Sequence, residues 1–158
     1  MNKRFYLAYG SNCNLTQMEY RCPNATVVGP VTLHNYALTF NGRGRYGGVA
    51  NIRRRNGAEV KGLLWEITPD CERSLDRYEG YPHLYEKKTV TVETQSGERI
   101  KAMVYVMTKG HESLAIPTAG YYYGILEGFR QNGIDPQPVM DAYHETKSKL
   151  GGFVEDFI

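Results

Sequence analysis

Apolar and β-branched residues in this chain fall into short runs separated by glycine, proline and asparagine, a pattern typical of strands joined by turns. Asn56-Gly57 and Ser96-Gly97 have the composition of hairpin turns and each separates two such runs. The segment 41–48 is rich in glycine and arginine and is expected to be a loop. The predicted strands cover residues 5–9, 25–33, 35–40, 49–54, 60–67, 85–94 and 99–107.

Helix signals lie between these runs. Asn14, with a glutamine three residues later, resembles a capping box, and Pro23 would stop the helix that it begins. Thr68 before Pro69 is a hydroxyl N-cap followed by proline at the first helical position, and Gly80 marks the end of that helix. The predicted helices cover about residues 14–21, 69–79, 121–131 and 138–150.

These elements predict one α+β domain over residues 1–158: a small mixed β-barrel of about six or seven strands, with inserted helices and a helical C-terminal segment. The 41% hydrophobic and 23% charged residues are ordinary for a soluble protein. No apolar run approaches the roughly 20 residues of a membrane helix, and the apolar stretch after Arg4 is too short for a signal peptide. We therefore expect a cytoplasmic protein that does not bind a membrane.

Cys13, Cys22 and Cys71 form an odd set without a Cys-x-x-Cys pair, so we expect reduced thiols and no zinc site. The spacing Gly-x-Gly-x-x-Gly occurs at 42–47, but a strand rather than a helix is predicted after it, which argues against a dinucleotide site. Arginines at 43, 45 and 53–55 could meet phosphates. A net charge of +2 does not support a nucleic-acid partner, so a solvated face is the simpler interpretation.

The first predicted strand runs directly into Gly10-Ser11-Asn12 and then into a helix. A tight turn at this point leaves backbone N–H groups without partners, and such groups suit a carboxylate, a phosphate or a polarised carbonyl oxygen. Ser11 or Cys13 could alternatively be a nucleophile near the helix start, although it would need a base from a distant part of the chain. A turn serine and a buried thiol are the structural alternative.

Glu79 is the acidic residue with the most unusual surroundings. It lies at the predicted C-terminus of a helix, where the helix dipole disfavours negative charge, and Tyr78 and Tyr81 flank it. Both effects raise the pKa of a carboxyl group towards the range in which it exchanges protons near neutrality. A surface charge is the alternative for any single acid in the chain.

The order of Tyr9-Gly10-Ser11-Asn12, then Leu75-Asp76-x-Tyr78-Glu79-Gly80, then Tyr105-Val106-Met107 and Pro117-x-x-x-Tyr121 resembles the γ-glutamylcyclotransferase (AIG2-like) family over about residues 5–135. The resemblance implies a compact α+β barrel and release of an amine or amino acid from a γ-glutamyl group, which cyclises to 5-oxoproline. It implies Glu79 as proton acceptor and donor. The substrate-binding residues that it implies are Tyr6, Leu7, Ala8, Tyr9, Gly10, Ser11 and Tyr121.

This chemistry needs no metal and no cofactor, because the substrate carries its own nucleophile and ring closure within one molecule is fast when the geometry is favourable. The expected partner is a small γ-glutamyl compound, and the family suggests a homodimer. Cys13 departs from the apolar residue that many relatives carry there. A γ-glutamylamine or γ-glutamyl-acyl cyclotransferase of biosynthetic deprotection and a non-catalytic γ-glutamyl or amino-acid binding domain are the alternatives that sequence leaves open.

Overall fold

The computed structural model describes residues 3–42 and 47–150, in which α-helices lie between and after the strands. The strands are β1 (Arg4–Ala8), β2 (Thr26–Asn41), β3 (Val49–Ile67), β4 (Tyr85–Thr94) and β5 (Arg99–Met107). The α-helices are α1 (Leu15–Arg21), α2 (Pro69–Glu79), α3 (Ala119–Gln131) and α4 (Gln137–Leu150). A short 3-10 turn, Ser11–Cys13, connects β1 to α1.

The strands form a closed barrel in the order β1-β3-β2-β4-β5. Neighbouring strands are antiparallel except where the barrel closes, since β5 meets β1 in parallel with Tyr6 opposite Met103. Closure gives each of these five strands two neighbouring strands. The core is continuous from the barrel to the helices, with Leu63, Val104 and Phe129 fully buried. The α+β mixed barrel with inserted helices that sequence predicts is therefore confirmed.

The number of strands is lower than predicted because two pairs of predicted strands are continuous. The segments 25–33 and 35–40 both belong to β2, and the segments 49–54 and 60–67 both belong to β3. The prediction of a hairpin turn at Asn56-Gly57 is wrong. Asn35 and Gly57 both have positive φ, and the Asn35 side chain accepts a hydrogen bond from the Gly57 N–H at 3.0 Å. The residues suited to a turn instead form a bulge within a longer hairpin.

The predicted helix ends agree closely with the structure. The Asn14 side chain caps α1 by accepting from the Gln17 N–H, and the Thr68 hydroxyl caps α2 by accepting from the Cys71 N–H. Gly80 ends α2 in the left-handed conformation, with φ of 70°. The hairpin of β4 and β5 turns at Ser96-Gly97, as predicted. Residues 43–46, which include two arginines of the basic run and part of the glycine motif, lie outside the described residues.

The prediction of three reduced cysteines is wrong. Cys22, at the end of α1, forms a disulfide with Cys71, in the first turn of α2. The two residues are 49 positions apart, so only the fold brings their sulfur atoms together. Cys13 remains a free, buried thiol. In the described part of the chain, no helix is long and apolar enough to cross a membrane.

Candidate active site

A cavity of about 200 Å³ opens where the end of β1 meets α2 and α3. Six of its lining residues are tyrosines: Tyr6, Tyr9, Tyr78, Tyr85, Tyr105 and Tyr121. Leu7, Gly10, Ser11, Asn12, Val49, Ala50, Glu79 and Leu84 complete the lining. The wall therefore combines aromatic faces and hydroxyl groups with a single carboxyl group, a composition suited to a small polar molecule.

The Ser11–Cys13 turn is held rigidly against α3. An added Cβ at Gly128 would lie 2.6 Å from the Asn14 backbone nitrogen, so only glycine permits this close approach. The Asn132 side chain donates to the Cys13 carbonyl at 2.9 Å, and the Trp65 indole donates to the Asn12 carbonyl at 3.0 Å. The carbonyl groups of the turn are thereby occupied by protein donors.

Unlike the carbonyl groups, two N–H groups of the same turn have no hydrogen-bond partner within it. Its two backbone hydrogen bonds run from the Cys13 and Asn14 N–H groups to the Gly10 and Ser11 carbonyls. Ser11 and Asn12 are the first residues of the 3-10 turn, and such N–H groups have no partner within the turn. Both residues line the cavity. The N–H groups of Ser11 and Asn12 are therefore suited to bind an oxygen atom that carries negative charge.

Glu79 contributes the carboxyl group of the cavity. It is the last residue of α2 and is half-buried. Within residues 3–42 and 47–150, no hydrogen bond or ion pair holds its carboxyl group. Burial raises the pKa of Glu79 to about 7, and the nearby Arg21 guanidinium acts in the opposite direction. A carboxyl group with this pKa can both accept and donate a proton near neutrality.

The tyrosine hydroxyls are engaged with the protein. Tyr6 accepts from the Asn12 side chain at 2.9 Å, and Tyr9 donates to the Tyr105 carbonyl at 2.7 Å. Tyr85 donates to the Ala50 carbonyl at 2.8 Å. Burial raises the pKa of Tyr6, Tyr9 and Tyr85 well above the ordinary value, so these rings stay neutral. They shape the cavity without adding charge to it.

The structure brings most of the predicted site residues together. Tyr6, Leu7, Tyr9, Gly10, Ser11, Glu79 and Tyr121 all line the cavity, whereas Ala8 is buried within β1 and does not. Gly10 has φ of −126°, so a positive φ is not the reason for glycine there. The reason is close approach, because a Cβ at this position would lie 3.0 Å from the Ala50 Cβ.

The two candidate nucleophiles do not have the surroundings of a reactive group. The Cys13 thiol is fully buried and donates to the Ala8 carbonyl at 3.2 Å, and burial raises its pKa to about 12. The Ser11 hydroxyl accepts from Arg21 at 3.2 Å, and no histidine of the described chain lines the cavity beside it. In the described residues, no group of three or more His, Cys, Asp or Glu side chains could hold a metal ion.

Sequence reasoning did not identify Arg21, Tyr85 or Tyr105 as site residues. Tyr85 begins β4 and Tyr105 lies near the end of β5, so both are at the open end of the β4–β5 hairpin, and they reach the cavity because the barrel closes. The chain has 13 tyrosines, a high number that suggests that some of them line a pocket, but the count does not identify which ones. Nothing in the sequence marks Arg21 as a site residue, since a basic residue in the last turn of a helix is common.

Residues 6–123 match the model of a protein family described as gamma-glutamyl cyclotransferase, AIG2-like. The chain belongs to this enzyme family. Gamma-glutamylcyclotransferases of Bos taurus and Homo sapiens are 32% and 35% identical to it, and each match covers 97% of this chain and 86% of the relative. A solved structure named gamma-glutamyl cyclotransferase superposes with a TM-score of 0.81 at 29% identity, covering 89% of this chain and 86% of the other. The fold of this chain is thus also that of a solved cyclotransferase.

Proposed function

We propose that this protein cleaves γ-glutamyl compounds to 5-oxoproline and a free amino acid or amine, with Glu79 as general base and general acid. One observation carries the proposal: the Glu79 carboxyl group, which has a pKa of about 7 and no hydrogen-bond or ion-pair partner among the described residues, lines the same cavity as Ser11 and Asn12 at the start of the 3-10 turn. The membership of the chain in the cyclotransferase family supports the same reaction.

The reaction needs four contributions from the protein. The substrate must be held so that its α-amino nitrogen approaches the γ-carbonyl carbon, which the aromatic wall and the Ser11–Asn12 turn can do. Glu79 takes a proton from the ammonium group, and the freed amine attacks to form a five-membered ring. N–H groups at the turn stabilise the negative charge that develops on oxygen. Glu79 then returns the proton to the leaving nitrogen as the original amide bond breaks. The second proton, which the ring nitrogen carries after the attack, passes through Glu79 to the released amine, which leaves as an ammonium ion, so protons and electrons balance.

The pKa of Glu79 is suited to both halves of this cycle. An ordinary carboxylate is too weak a base to deprotonate an ammonium group efficiently, whereas a group that titrates near 7 is balanced between acceptor and donor. We expect kcat/KM to rise with pH through about 7, because the carboxyl group must begin ionised.

The test is to incubate the purified protein with γ-glutamyl amino acids, γ-glutamyl amines, γ-glutamyl-acyl compounds and glutathione, and to assay 5-oxoproline. Each class differs only in its leaving group, so the panel also identifies the preferred one. Glu79→Gln should retain substrate binding in calorimetry and reduce turnover at least ~100-fold. Glu98→Gln, an exposed acid in the β4–β5 turn, is the matched control and should retain turnover.

Two results would contradict the proposal. If Glu79→Gln forms 5-oxoproline at close to the wild-type rate, the assigned role of the carboxyl group is wrong. If the wild-type protein binds γ-glutamyl compounds but releases no 5-oxoproline from any of them, the domain is a binding module.

A further inference from the structure

Arg21 is attached to the cavity wall at three points without lining the cavity. Its guanidinium donates to the Ser11 hydroxyl at 3.2 Å and to the Asn12 side-chain carbonyl at 2.5 Å. The same group lies 3.7 Å from the centroid of the Tyr78 ring. Ser11, Asn12 and Tyr78 all line the cavity, and Arg21 itself is absent from its lining. Arg21 thus lies behind the wall and joins the turn after β1 to the end of α2.

The position of Arg21 is fixed by one face of α2. Cys71, Ser74 and Tyr78 are spaced by three and four residues, so their side chains project from the same side of the helix. Cys71 forms the disulfide with Cys22, the residue after Arg21, and the Ser74 hydroxyl donates to the Arg21 carbonyl at 2.6 Å. We name this contact between α1 and α2 the α1–α2 seam. It places the guanidinium against Tyr78, one residue before Glu79.

Among the residues that the structure describes, Arg21 is also the positively charged group that acts on Glu79. Burial raises the pKa of Glu79, and Arg21 is the group that lowers it. The other titratable groups whose charge acts on or is acted on by Glu79 are tyrosines from the surrounding elements: Tyr6, Tyr9, Tyr85, Tyr105 and Tyr121. Lys87 is paired with Glu72 and Asp76, and Asp76 also accepts from the Tyr105 hydroxyl. These tyrosines carry no charge near neutrality, so among the described residues it is Arg21 whose charge stabilises the Glu79 carboxylate.

We infer that Arg21 is a positioning residue for the cyclisation. It holds the Ser11–Asn12 turn and the C-terminal end of α2, which carries Glu79, in a fixed relative position. It also keeps a positive charge close to the Glu79 carboxylate. The inference rests on the proposed role of Glu79 as the base. Arginine is suited to this place because its planar guanidinium can stack on a ring and donate to several acceptors at once. Lysine could supply the charge but not this set of contacts.

The experiment compares Arg21→Met and Arg21→Lys with Arg77→Met. Arg77 is an exposed arginine of α2, so its replacement removes the same charge from the chain without touching the seam. Two readouts are needed: the pH profile of kcat/KM for 5-oxoproline formation, and the pKa of Glu79 from carbon-13 NMR titration of glutamate-labelled protein, with Glu79→Gln to assign the signal. The titration does not depend on turnover.

Arg21→Met should raise the Glu79 pKa and the acidic limb of the profile by about half to one pH unit, because a stabilising positive charge is lost. It should also lower kcat/KM at pH 8 at least ~10-fold, since the turn and the acid are no longer held together. Arg21→Lys should shift the acidic limb of the pH profile less than Arg21→Met does, but should still lower kcat/KM. Arg77→Met should change neither readout.

An unchanged Glu79 pKa in a folded Arg21→Met protein would overturn the inference. So would full kcat/KM in Arg21→Lys, which would show that the guanidinium contacts are not needed. Should Arg21→Met fail to fold, Arg21→Lys decides the outcome. If the wild-type protein forms no 5-oxoproline, the proposed function fails, whereas the titration still shows whether Arg21 sets the ionisation of Glu79.

Discussion

The Tyr121 hydroxyl accepts a hydrogen bond from the Ala50 N–H at 2.9 Å, which fixes the first turn of α3 to the start of β3. The Ala50 carbonyl is bound by Tyr85, so one residue of β3 holds two tyrosines of the cavity wall in place. Because the Tyr121 oxygen acts as acceptor here, its own proton is left to donate into the cavity. Tyr121 is therefore suited to be both a structural contact and a substrate donor.

Tyr121→Phe should separate these two roles. The loss of the oxygen leaves the buried Ala50 N–H without its partner, and we expect a cost of about 1–3 kcal/mol in the free energy of unfolding. If the hydroxyl also donates to substrate, kcat/KM should fall ~10-fold or more in protein that is fully folded. Urea denaturation and 5-oxoproline kinetics measure the two effects.

Tyr123→Phe is the matched control, since Tyr123 lies on the same helix and is 63% exposed. It should leave stability and rate unchanged. A Tyr121→Phe protein that loses stability but keeps full kcat/KM would restrict Tyr121 to a structural role.

Gly10→Ala is expected to damage activity more than stability. The added Cβ would lie 3.0 Å from the Ala50 Cβ and 3.4 Å from the Tyr121 hydroxyl, and both atoms belong to the cavity wall. A shift of a few tenths of an ångström there displaces groups that position the substrate. We expect kcat/KM to fall ~10-fold or more, with a loss of about 1–2 kcal/mol in unfolding free energy from overpacking.

Gly120→Ala provides the comparison, because nothing lies within 4 Å of a Cβ at that position and its φ is not positive. That substitution should be neutral or slightly stabilising. If Gly10→Ala loses all its activity through unfolding, seen as equal losses in the thermal melt and in the rate, Gly10 is a folding residue and not a site residue.

Local signals explain which parts of the fold could be predicted. Thr68 before Pro69, and Gly80 at the other end, specify both ends of α2 through contacts within a few residues, so Glu79 could be placed at a helix terminus. The hairpin turn predicted at Asn56-Gly57 was wrong because that prediction also used only local sequence. A left-handed Gly57 fits a hairpin turn as well as a bulge, and only its pairing with Asn35 on another strand distinguishes the two.

Contacts between distant residues account for what could not be predicted. The cysteine count gave no indication that Cys22 and Cys71 meet, since their pairing follows from the contact of α1 with α2. The contact between α1 and α2 also places Arg21 against Tyr78 of the cavity wall. Tyr105 reaches the cavity because β5 closes the barrel. The turn after β1 and the acid of α2 were predictable as separate features, whereas the residues that join them were not.

The ionisation of Glu79 should make stability depend on pH. In the folded protein the pKa of Glu79 is about 7, compared with 4.5 for an ordinary glutamate, so the folded state binds the proton more tightly than the unfolded state. The contribution to stability is present below about pH 4.5 and is lost as pH rises through 7. Glu79→Gln removes the ionised form and should be more stable than the wild type at pH 8, by about 1–3 kcal/mol.

Melting temperatures of the wild type and Glu79→Gln between pH 5 and pH 8 test this directly. The difference between the two proteins should be small at pH 5 and should grow towards pH 8. Glu98→Gln should follow the wild type throughout, because its carboxyl group is exposed. A constant difference between Glu79→Gln and the wild type would mean that Glu79 titrates at an ordinary pKa.

The disulfide should matter for the cavity as well as for stability. Cys22→Ser combined with Cys71→Ser removes a bridge between residues 49 positions apart. Bridges of this kind contribute about 2–4 kcal/mol to the free energy of unfolding. The same change loosens the α1–α2 seam that carries Arg21 and precedes Glu79, so kcat/KM should also fall in folded protein. Urea denaturation and 5-oxoproline kinetics measure the two effects.

A reducing agent gives an independent form of the same experiment. It should destabilise the wild type towards the double variant and leave the double variant itself unchanged, since the remaining Cys13 is a buried free thiol. If the double variant is less stable but has the wild-type kcat/KM and pH profile, the hydrogen bond from Ser74 and the ring of Tyr78 are sufficient to hold Arg21. If reduction changes neither stability nor rate, the two cysteines are not bridged in the active protein.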